Sequence, residues 1–303
     1  MNAKKLGVGL LIVFLLTVLS EVSVMATPLD LRFKSVPVKA FTDASAITLK
    51  GKPPNPPGKP PKAPEANKWA VIIGISKYSD PSANIYNPDK DAKEMAWALE
   101  NIYGFPHDHI KLLTNNKATK DNIVAAIDWL ITNENSSSVI VFFYCGHGGQ
   151  VEEGTYSEIY PNDETDGKDE YMVTYDLWGI TDDYLKFRFS QIESTSFMLW
   201  FGNCHSGGMS PDLNGAGRVI VAACEEQEYA YDYLSLGNTL YGYFYVDQGM
   251  KQGYADGYGP NGVVDGTVTV EEAFYYAQPL VTQQQQDQHP FIWDSDPSSD
   301  LNL

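Results

Sequence analysis

Continuously apolar segments alternate along this chain with segments whose apolar residues recur every three or four positions. The continuous segments are short and lie at 69–75, 110–113, 139–144, 197–201 and 219–223. Apolar runs of this length are typical of strands that are covered on both faces. The pattern therefore predicts five buried strands.

The segments between these strands have the periodicity of amphipathic helices. Asn87 and Pro88 offer a helix start, because asparagine favours the N-cap and proline the first helical position. Two apolar stripes at helical spacing follow. They are formed by Ala92, Met95, Ala96, Leu99 and Ile102, and by Ile123, Ala126, Ile127 and Leu130. Weaker helical patterns occupy 238–250 and 270–277. Alternating strands and helices predict an α/β fold, with a mainly parallel central sheet flanked by helices.

The first 66 residues differ from the rest of the chain. A pair of lysines precedes an apolar run that is shorter than a membrane span requires, and small residues follow at a suitable cleavage site. We expect residues 1–26 to be a signal peptide that exports the protein, with an uncleaved N-terminal membrane anchor as the alternative. Residues 27–66 end in a proline-rich stretch and are interpreted as a linker. The folded domain is expected at 67–303.

Charge and cysteine content narrow the class of protein. The chain has 39 acidic residues against 21 lysines and arginines, with a net charge of −18. Nucleic acid is therefore not expected as a partner, since binding phosphates requires clustered basic residues. The three cysteines are an odd number, so at least one thiol stays free within a monomer.

Two predicted strands end in glycine-rich segments that carry reactive side chains. His147 follows the strand at 139–144, and Cys204 follows the strand at 197–201. Catalytic groups of parallel α/β sheets gather beyond the carboxyl ends of the strands. An imidazole beside a thiol is the minimal activated nucleophile, because the imidazole accepts the thiol proton. We therefore predict that Cys204 is the nucleophile and His147 its general base, with the backbone N–H groups of Gly148 and Cys204 as the oxyanion donors.

The segments G-H-G-G-Q at 146–150 and N-C-H-S-G-G at 203–208 resemble the paired signatures of caspase-like cysteine peptidases, and most closely those of metacaspases. Further segments at 91–95, 166–170, 180–183 and 223–227 have counterparts in the same order. The resemblance implies a caspase–haemoglobinase fold, a Cys-His dyad and endopeptidase activity on peptide or protein substrates.

The resemblance also implies a substrate pocket, from which this chain departs at one position. Metacaspases usually have an aspartate two residues before the nucleophile, where this chain has Gly202. A second pocket aspartate corresponds to Asp91, and Cys145 stands at a position that is often serine. The expected pocket for a basic P1 side chain thus retains one of two carboxylates. An alternative for Asp91 is a first-turn carboxylate that stabilises the helix dipole. If space exists, Gly202→Asp should restore the second carboxylate.

An acidic region between the two catalytic segments suggests calcium, because closely spaced carboxylates are hard oxygen ligands. In calcium-dependent metacaspases the corresponding positions bind the ion, which implies Asp169, Asp182, Asp183 and, with one residue of offset, Asp212. A solvated acidic surface is the alternative. The segment 261–272 has an EF-hand-like glycine and glutamate, but Val263 stands where an oxygen ligand is required, so we interpret it as a turn.

Other functions remain as alternatives. One alternative is a zinc site, whose usual ligand types are present in Cys145, His147, Cys204 and His205. Against it, the side chains of neighbouring residues such as Cys204 and His205 tend to point apart. A catalytically inactive caspase-like scaffold would explain the loss of the aspartate at position 202. A haemoglobinase-type peptidase or transpeptidase would use a similar dyad. Loops that bind organic cofactors are not found in the sequence, and none is expected.

Overall fold

A computed structural model describes residues 39–40, 67–152 and 164–303 of the chain. The predicted signal peptide and most of the predicted linker lie outside these residues and stay predictions. Within the described part, the central sheet has six strands in the order β12-β9-β8-β4-β2-β3. Its strands are β2 (Lys68–Gly74), β3 (Ile110–Thr114), β4 (Val139–Cys145), β8 (Phe197–Gly202), β9 (Arg218–Ala222) and β12 (Phe291–Asp294).

Five of these strands are parallel and coincide with the five apolar segments of the sequence. β12 is the exception, since it pairs antiparallel with β9 at the edge of the sheet. The sequence pattern does not predict β12, because a four-residue edge strand with only partly buried side chains has no long apolar run. The predicted α/β fold with a mainly parallel sheet is confirmed.

Helices cover both faces of the sheet and form two separate cores. On one face, α1 (Pro88–Asn101) and α6 (Val270–Gln284) pack with a π-helix at Tyr243–Lys251. The other face is covered by α2 (Lys120–Asn133), α3 (Asp182–Phe189) and α4 (Met209–Leu213). The buried stripes of α1 and α2 are those that helical spacing predicted, apart from Ile102, which is exposed.

The smaller elements lie around the carboxyl edge of the main sheet. β5 (Gly148–Glu152), β6 (Lys168–Val173) and β7 (Trp178–Thr181) form an antiparallel sheet that β1 (Lys39–Ala40) joins. β10 (Asp232–Tyr233) and β11 (Asn238–Thr239) form a two-stranded hairpin. The segment at 238–250 is thus a strand, a short helix α5 (Leu240–Gly242) and the π-helix, rather than one regular helix.

Among the residues that the structure describes, no helix is both long and apolar enough to cross a membrane.

Candidate active site

The strand order brings the two reactive segments together. β4 and β8 are neighbouring parallel strands, and Cys145 pairs in register with Gly202. His147 lies two residues after Cys145, and Cys204 lies two residues after Gly202. Both side chains therefore leave the sheet from the same edge, as the sequence analysis expected.

The two segments also contact one another directly. Gly148 lies against the side chain of Asn203, so closely that a β-carbon at position 148 would collide with the Asn203 amide. This amide donates to the Cys204 carbonyl oxygen at 2.9 Å, and the Asn203 residue is buried. Glycine at 148 is therefore required for the loop after β4 to pack against the loop of the thiol.

His147 is held on two sides by hydrogen bonds. Its backbone N–H donates to the hydroxyl of Tyr78 at 2.8 Å, and its ring atom Nε2 lies 2.8 Å from the Ala83 carbonyl oxygen. A carbonyl oxygen only accepts hydrogen bonds, so the neutral ring carries its proton on Nε2 and its lone pair on Nδ1. Burial lowers the pKa of His147, while the Ala83 bond opposes this shift. The neutral imidazole is therefore favoured, as a general base requires.

Cys204 is the partly exposed thiol of the three, since Cys145 and Cys224 are buried. Its Sγ lies 3.9 Å from the Ala230 carbonyl oxygen. Burial raises the pKa of Cys204, and backbone groups of Ala230 and of Cys204 itself partly offset the rise. Both shifts favour the neutral thiol and the neutral imidazole over a preformed thiolate and imidazolium.

The residue after the nucleophile has an unusual backbone. His205 has a φ of 61°, in the left-handed region that non-glycine residues seldom adopt. Its Nδ1 lies 2.8 Å from the Glu226 carbonyl oxygen, and its ring packs edge-on against Tyr229. These two contacts hold the His205 ring between the Glu226 carbonyl and Tyr229.

Asp91 lies at the start of α1, fully buried beneath the end of β4. Its carboxylate accepts bonds from the Asn238 amide at 2.8 Å and from the Thr239 hydroxyl at 2.6 Å. The Cys145 thiol lies 3.6 Å from the same carboxylate. Burial raises the pKa of Asp91 to about 7, although these hydrogen bonds oppose the rise. Asp91 and Cys145 are therefore adjacent, as the resemblance implied.

There is no room for a side chain at position 202. A β-carbon there would lie 2.5 Å from Cζ3 of Trp200 and 2.8 Å from the Cys145 Sγ. The Trp200 ring is itself stacked against Phe143 and Tyr241. The space on which that expectation depended is absent, so Gly202→Asp is not expected to restore a pocket carboxylate.

A second carboxylate near Asp91 comes from a segment that the sequence analysis did not consider. Asp232 in β10 interacts electrostatically with Asp91 and with Cys145, and raises the pKa of both. It accepts bonds from the backbone of Tyr86 and from the side chain of Asn87. Asn87 precedes α1 as predicted, but its side chain bonds Asp232 instead of capping the helix. Only the hairpin fold brings Asp232 here, and no local sequence signal marks it.

Three acidic residues form a cluster at α3 and α4, which contribute Asp182 and Asp212 to it. Ligand atoms of Glu164, Asp182 and Asp212 all lie within 4.8 Å of one another. Burial raises the pKa of Asp182 well above its usual range, and nearby carboxylates add to the rise. One carboxylate oxygen of Asp212 is buried without a hydrogen-bond partner, and the other accepts from Lys186 at 2.9 Å. Hard, mutually repelling oxygen donors of this kind fit a divalent cation.

This cluster overlaps only partly with the predicted ligand set. Asp182 and Asp212 belong to it, whereas Asp169 and Asp183 are buried nearby on β6 and α3 without joining this group. Glu164 is a member that the sequence analysis missed, because it lay in an acidic run with no spacing that singled it out.

The other candidate metal sites have different partners in the structure. Among the zinc candidates, Cys145 contacts Asp91, His147 contacts Ala83 and His205 contacts Glu226. Within the described residues, these candidates are not part of any group of three or more metal-ligand atoms that lie close together. In the EF-hand-like segment, Glu272 uses one carboxylate oxygen for the backbone N–H groups of Gly257 and Val263, and the other for that of Thr269. Glu272 thus stabilises the loop and caps α6.

Comparison with known proteins agrees with this geometry. Residues 67–245 match the family profile described as the caspase domain, which is more than half of the 303 residues. Metacaspase-3 of Arabidopsis thaliana is 34% identical over 120 residues, which is 38% of this chain and 31% of the relative. Metacaspase-1A of Aspergillus oryzae is 29% identical over 149 residues, 46% of this chain and 34% of the relative. The match thus spans about a third of each relative's length.

Solved structures show the same fold at lower identity. A protein from Geobacter sulfurreducens is 18% identical, with a TM-score of 0.57, covering 78% of this chain and 97% of that one. The Drosophila initiator caspase Dronc is 13% identical, with a TM-score of 0.53, covering 79% of this chain and 84% of Dronc.

Proposed function

This chain belongs to the family of caspase-domain proteins, and we propose that it is a cysteine endopeptidase in which Cys204 and His147 hydrolyse peptide bonds. The observation that carries the proposal is the 2.8 Å contact between Nε2 of His147 and the Ala83 carbonyl oxygen. Its Nε2–H is bonded to Ala83, so Nδ1 is the ring atom that can accept a proton. The similarity to metacaspases supports the same class of activity.

The proposed reaction uses the neutral pair. Nδ1 of His147 takes the Cys204 proton as Sγ attacks the substrate carbonyl carbon, and the carbonyl oxygen becomes an oxyanion. The backbone N–H groups of Gly148 and Cys204 donate to that oxygen. His147 then returns the proton to the leaving amine as the C–N bond breaks, which leaves an acyl group on Sγ. A water molecule, deprotonated by His147, hydrolyses this thioester and regenerates the thiol.

The proposed P1 preference is a basic side chain. Asp91 lies beneath Cys145 and Gly202, and Asp232 adds a second negative charge in its vicinity. A buried cation needs a charged partner, so an arginine or lysine is the P1 side chain that this pair stabilises. Asn238 and Thr239 already bond Asp91, so such a side chain must displace one of them.

Calcium binding is proposed at the cluster of Glu164, Asp182 and Asp212, with Asp169 and Asp183 as further candidate ligands. The partnerless buried oxygen of Asp212 supports this assignment. When bound, the ion would neutralise carboxylates that otherwise repel one another. Export is proposed from the N-terminal sequence alone.

The central test compares the wild-type chain and three variants on a library of fluorogenic peptides that varies the P1 residue. Cys204→Ala and His147→Ala should each remove nearly all hydrolysis, while Cys224→Ala, which alters a buried thiol, should retain it. Circular dichroism should show that all three variants are folded. Full hydrolysis by folded Cys204→Ala would refute the proposal, and an inactive wild-type chain across the library would favour the scaffold function instead.

A further inference from the structure

A small cavity lies between the start of α6 and the C-terminal tail. Its volume is about 180 Å³. Sites for drug-sized ligands measure about 300–1,000 Å³, so this cavity suits a single chemical group. It is lined by residues of α6, of β12, of the loop at 260–261 and of the tail at 297–300. All of these residues follow position 245, where the match to the caspase domain ends.

The cavity and the catalytic segments are at opposite edges of the main sheet. Asp294 lines the cavity and pairs with Val219 near the start of β9, whereas Phe291 pairs with Ala222 at the end of β9. Because β9 and β8 are parallel, the end of β9 is on the same edge as the catalytic segments. A ligand in the cavity would therefore not occupy the catalytic site.

A buried carboxylate of this cavity lacks a partner. Glu271 is 2% exposed, and within the described residues its Oε1 is buried with no hydrogen-bond partner in another residue. The other oxygen accepts from the Leu301 backbone N–H at 2.8 Å. Burial, and after it the charges of Asp300 and Asp294, raise the pKa of Glu271 to about 7. Since a buried carboxylate is stabilised by a charged partner, the ligand that the cavity lacks is a cation.

The spacing of the carboxylates fits a planar organic cation better than a metal ion. In the part of the chain that the structure describes, only the cluster at Glu164 brings three candidate ligand atoms within 4.8 Å of one another. Asp300 is held apart from Glu271 by the Asn261 amide at 2.8 Å and the Thr269 hydroxyl at 3.3 Å. A guanidinium group has five N–H donors in one plane, so it can reach oxygens that are too far apart for one metal ion.

An aromatic ring beside the carboxylate fits the same ligand. Tyr275 lies one turn after Glu271 on α6, so the two side chains share one face of the helix. The backbone at Gly259 holds the ring edge, since a β-carbon there would lie 2.5 Å from Cδ2 of Tyr275, yet 39% of Tyr275 is exposed. Guanidinium groups stack on aromatic faces, and their aliphatic stems pack on apolar surface such as that of Ile292 and Pro297.

The two arginines that the structure describes are bound elsewhere. Arg188 donates to Tyr184 and Asp128, and Arg218 donates to the carbonyl oxygens of Leu213 and Phe189. We propose that the cavity binds a guanidinium group of another molecule, with Glu271 as its carboxylate partner and Tyr275 against its plane and stem. This site is independent of the proposed peptidase activity.

Methyl-group NMR with a small probe tests the proposal. The full chain carrying Cys204→Ala, with isotope-labelled isoleucine methyl groups, is titrated with butylguanidinium. Ile292 lines the cavity, whereas Ile75, whose N–H donates to the Cys145 carbonyl, reports on the catalytic edge. The Ile292 signal should shift and saturate with a Kd on the order of 1 mM, as expected for a ligand of this size. A shift at Ile75 without one at Ile292 would place the probe at the catalytic edge and overturn the proposal.

Two related probes test the chemistry of the ligand. N-butylurea has the same shape without the charge, so its Kd should be weaker by about tenfold or more. Butylammonium has the charge without the planar group and should also bind more weakly. N-butylurea that binds as tightly as butylguanidinium would refute a cation site, and butylammonium that does so would refute the assignment to guanidinium.

Variants test the residues. Glu271→Gln keeps an oxygen for the Leu301 N–H and should weaken the Kd by about tenfold or more. Tyr275→Ala, at a partly exposed position, should weaken it by about threefold. Glu100→Gln, which removes an exposed carboxylate of α1 that pairs with His107, is the matched control and should leave the Kd within about twofold. An unchanged Kd in folded Glu271→Gln, or equal losses in Glu271→Gln and Glu100→Gln, would overturn the proposal.

A final comparison identifies the source of the guanidinium group, since both small molecules and protein arginines carry one. The probe is a capped pentapeptide with a central arginine between glycines, followed at the Ile292 signal. A Kd within about threefold of that for butylguanidinium would support an arginine side chain of a partner protein as the ligand. Binding more than about tenfold weaker would support a free small molecule instead.

Discussion

The close packing at Gly202 leads to a prediction that separates this active site from one with a second pocket aspartate. Gly202→Ala adds one β-carbon, which would lie 2.5 Å and 2.7 Å from two ring atoms of Trp200. The ring has little room to move, because Phe143 stacks on it at 4.1 Å and Tyr241 at 5.2 Å. Overpacking of this kind costs about 1–3 kcal/mol of unfolding free energy. For a domain of this size, a loss of about 2 kcal/mol lowers Tm by about 4–8 °C.

Thermal unfolding of a small set of variants measures this effect. Gly215→Ala is the matched control, because a β-carbon there would meet only the flexible Arg218 side chain, at 3.2 Å. We expect its Tm to change by less than about 2 °C, within the range of ordinary surface substitutions. Trp200→Phe removes the ring edge that Gly202→Ala would strike, so the cost of Gly202→Ala should fall below about 1 kcal/mol in that background. A Gly202→Ala chain as stable as the Gly215→Ala control would refute the packing argument, as would an unchanged cost beside Phe at position 200.

Four further predictions concern His147, the cysteines and the acidic cluster. Burial lowers the pKa of His147, so the base stays neutral at pH values below the usual histidine pKa. The acid limb of the pH profile of kcat/KM should therefore have its midpoint below pH ~6.5. A midpoint above that pH would contradict the burial argument. Because of the same shift, the unfolded chain binds more protons than the folded chain as the pH falls. The contribution of His147 to stability should therefore decrease as the pH drops below ~6.5. Urea unfolding of the wild type and of His147→Gln across pH 5–8 would measure this decrease. Iodoacetamide should label Cys204 well before the buried Cys224, with a rate that rises towards alkaline pH because the thiol pKa is raised; equal labelling of both in the folded chain would show that the exposure is misassigned. Asp212→Asn should weaken calcium binding at least tenfold by calorimetry and lower any calcium-stimulated hydrolysis, whereas unchanged calcium affinity would exclude Asp212 as a ligand.

The sequence by itself determined the parts of this protein that depend on local pattern. Five apolar runs became the five parallel strands, since a strand buried on both faces must be apolar at every position. The glycine-flanked His147 and Cys204 were identifiable because each follows such a strand directly. Strand ends, glycines and reactive side chains are all neighbours in sequence, so their association needs no knowledge of the tertiary structure.

Other features were decided only when distant segments met. The closed position at Gly202 depends on the rings of Trp200 and Tyr241, and the second charge near Asp91 comes from Asp232 in a hairpin. The hydrogen bond from His147 to the Ala83 carbonyl has no side-chain signature, because any residue supplies a carbonyl. Side-chain volumes, backbone partners and electrostatic neighbours are properties of packing between segments, so only the tertiary structure could decide them.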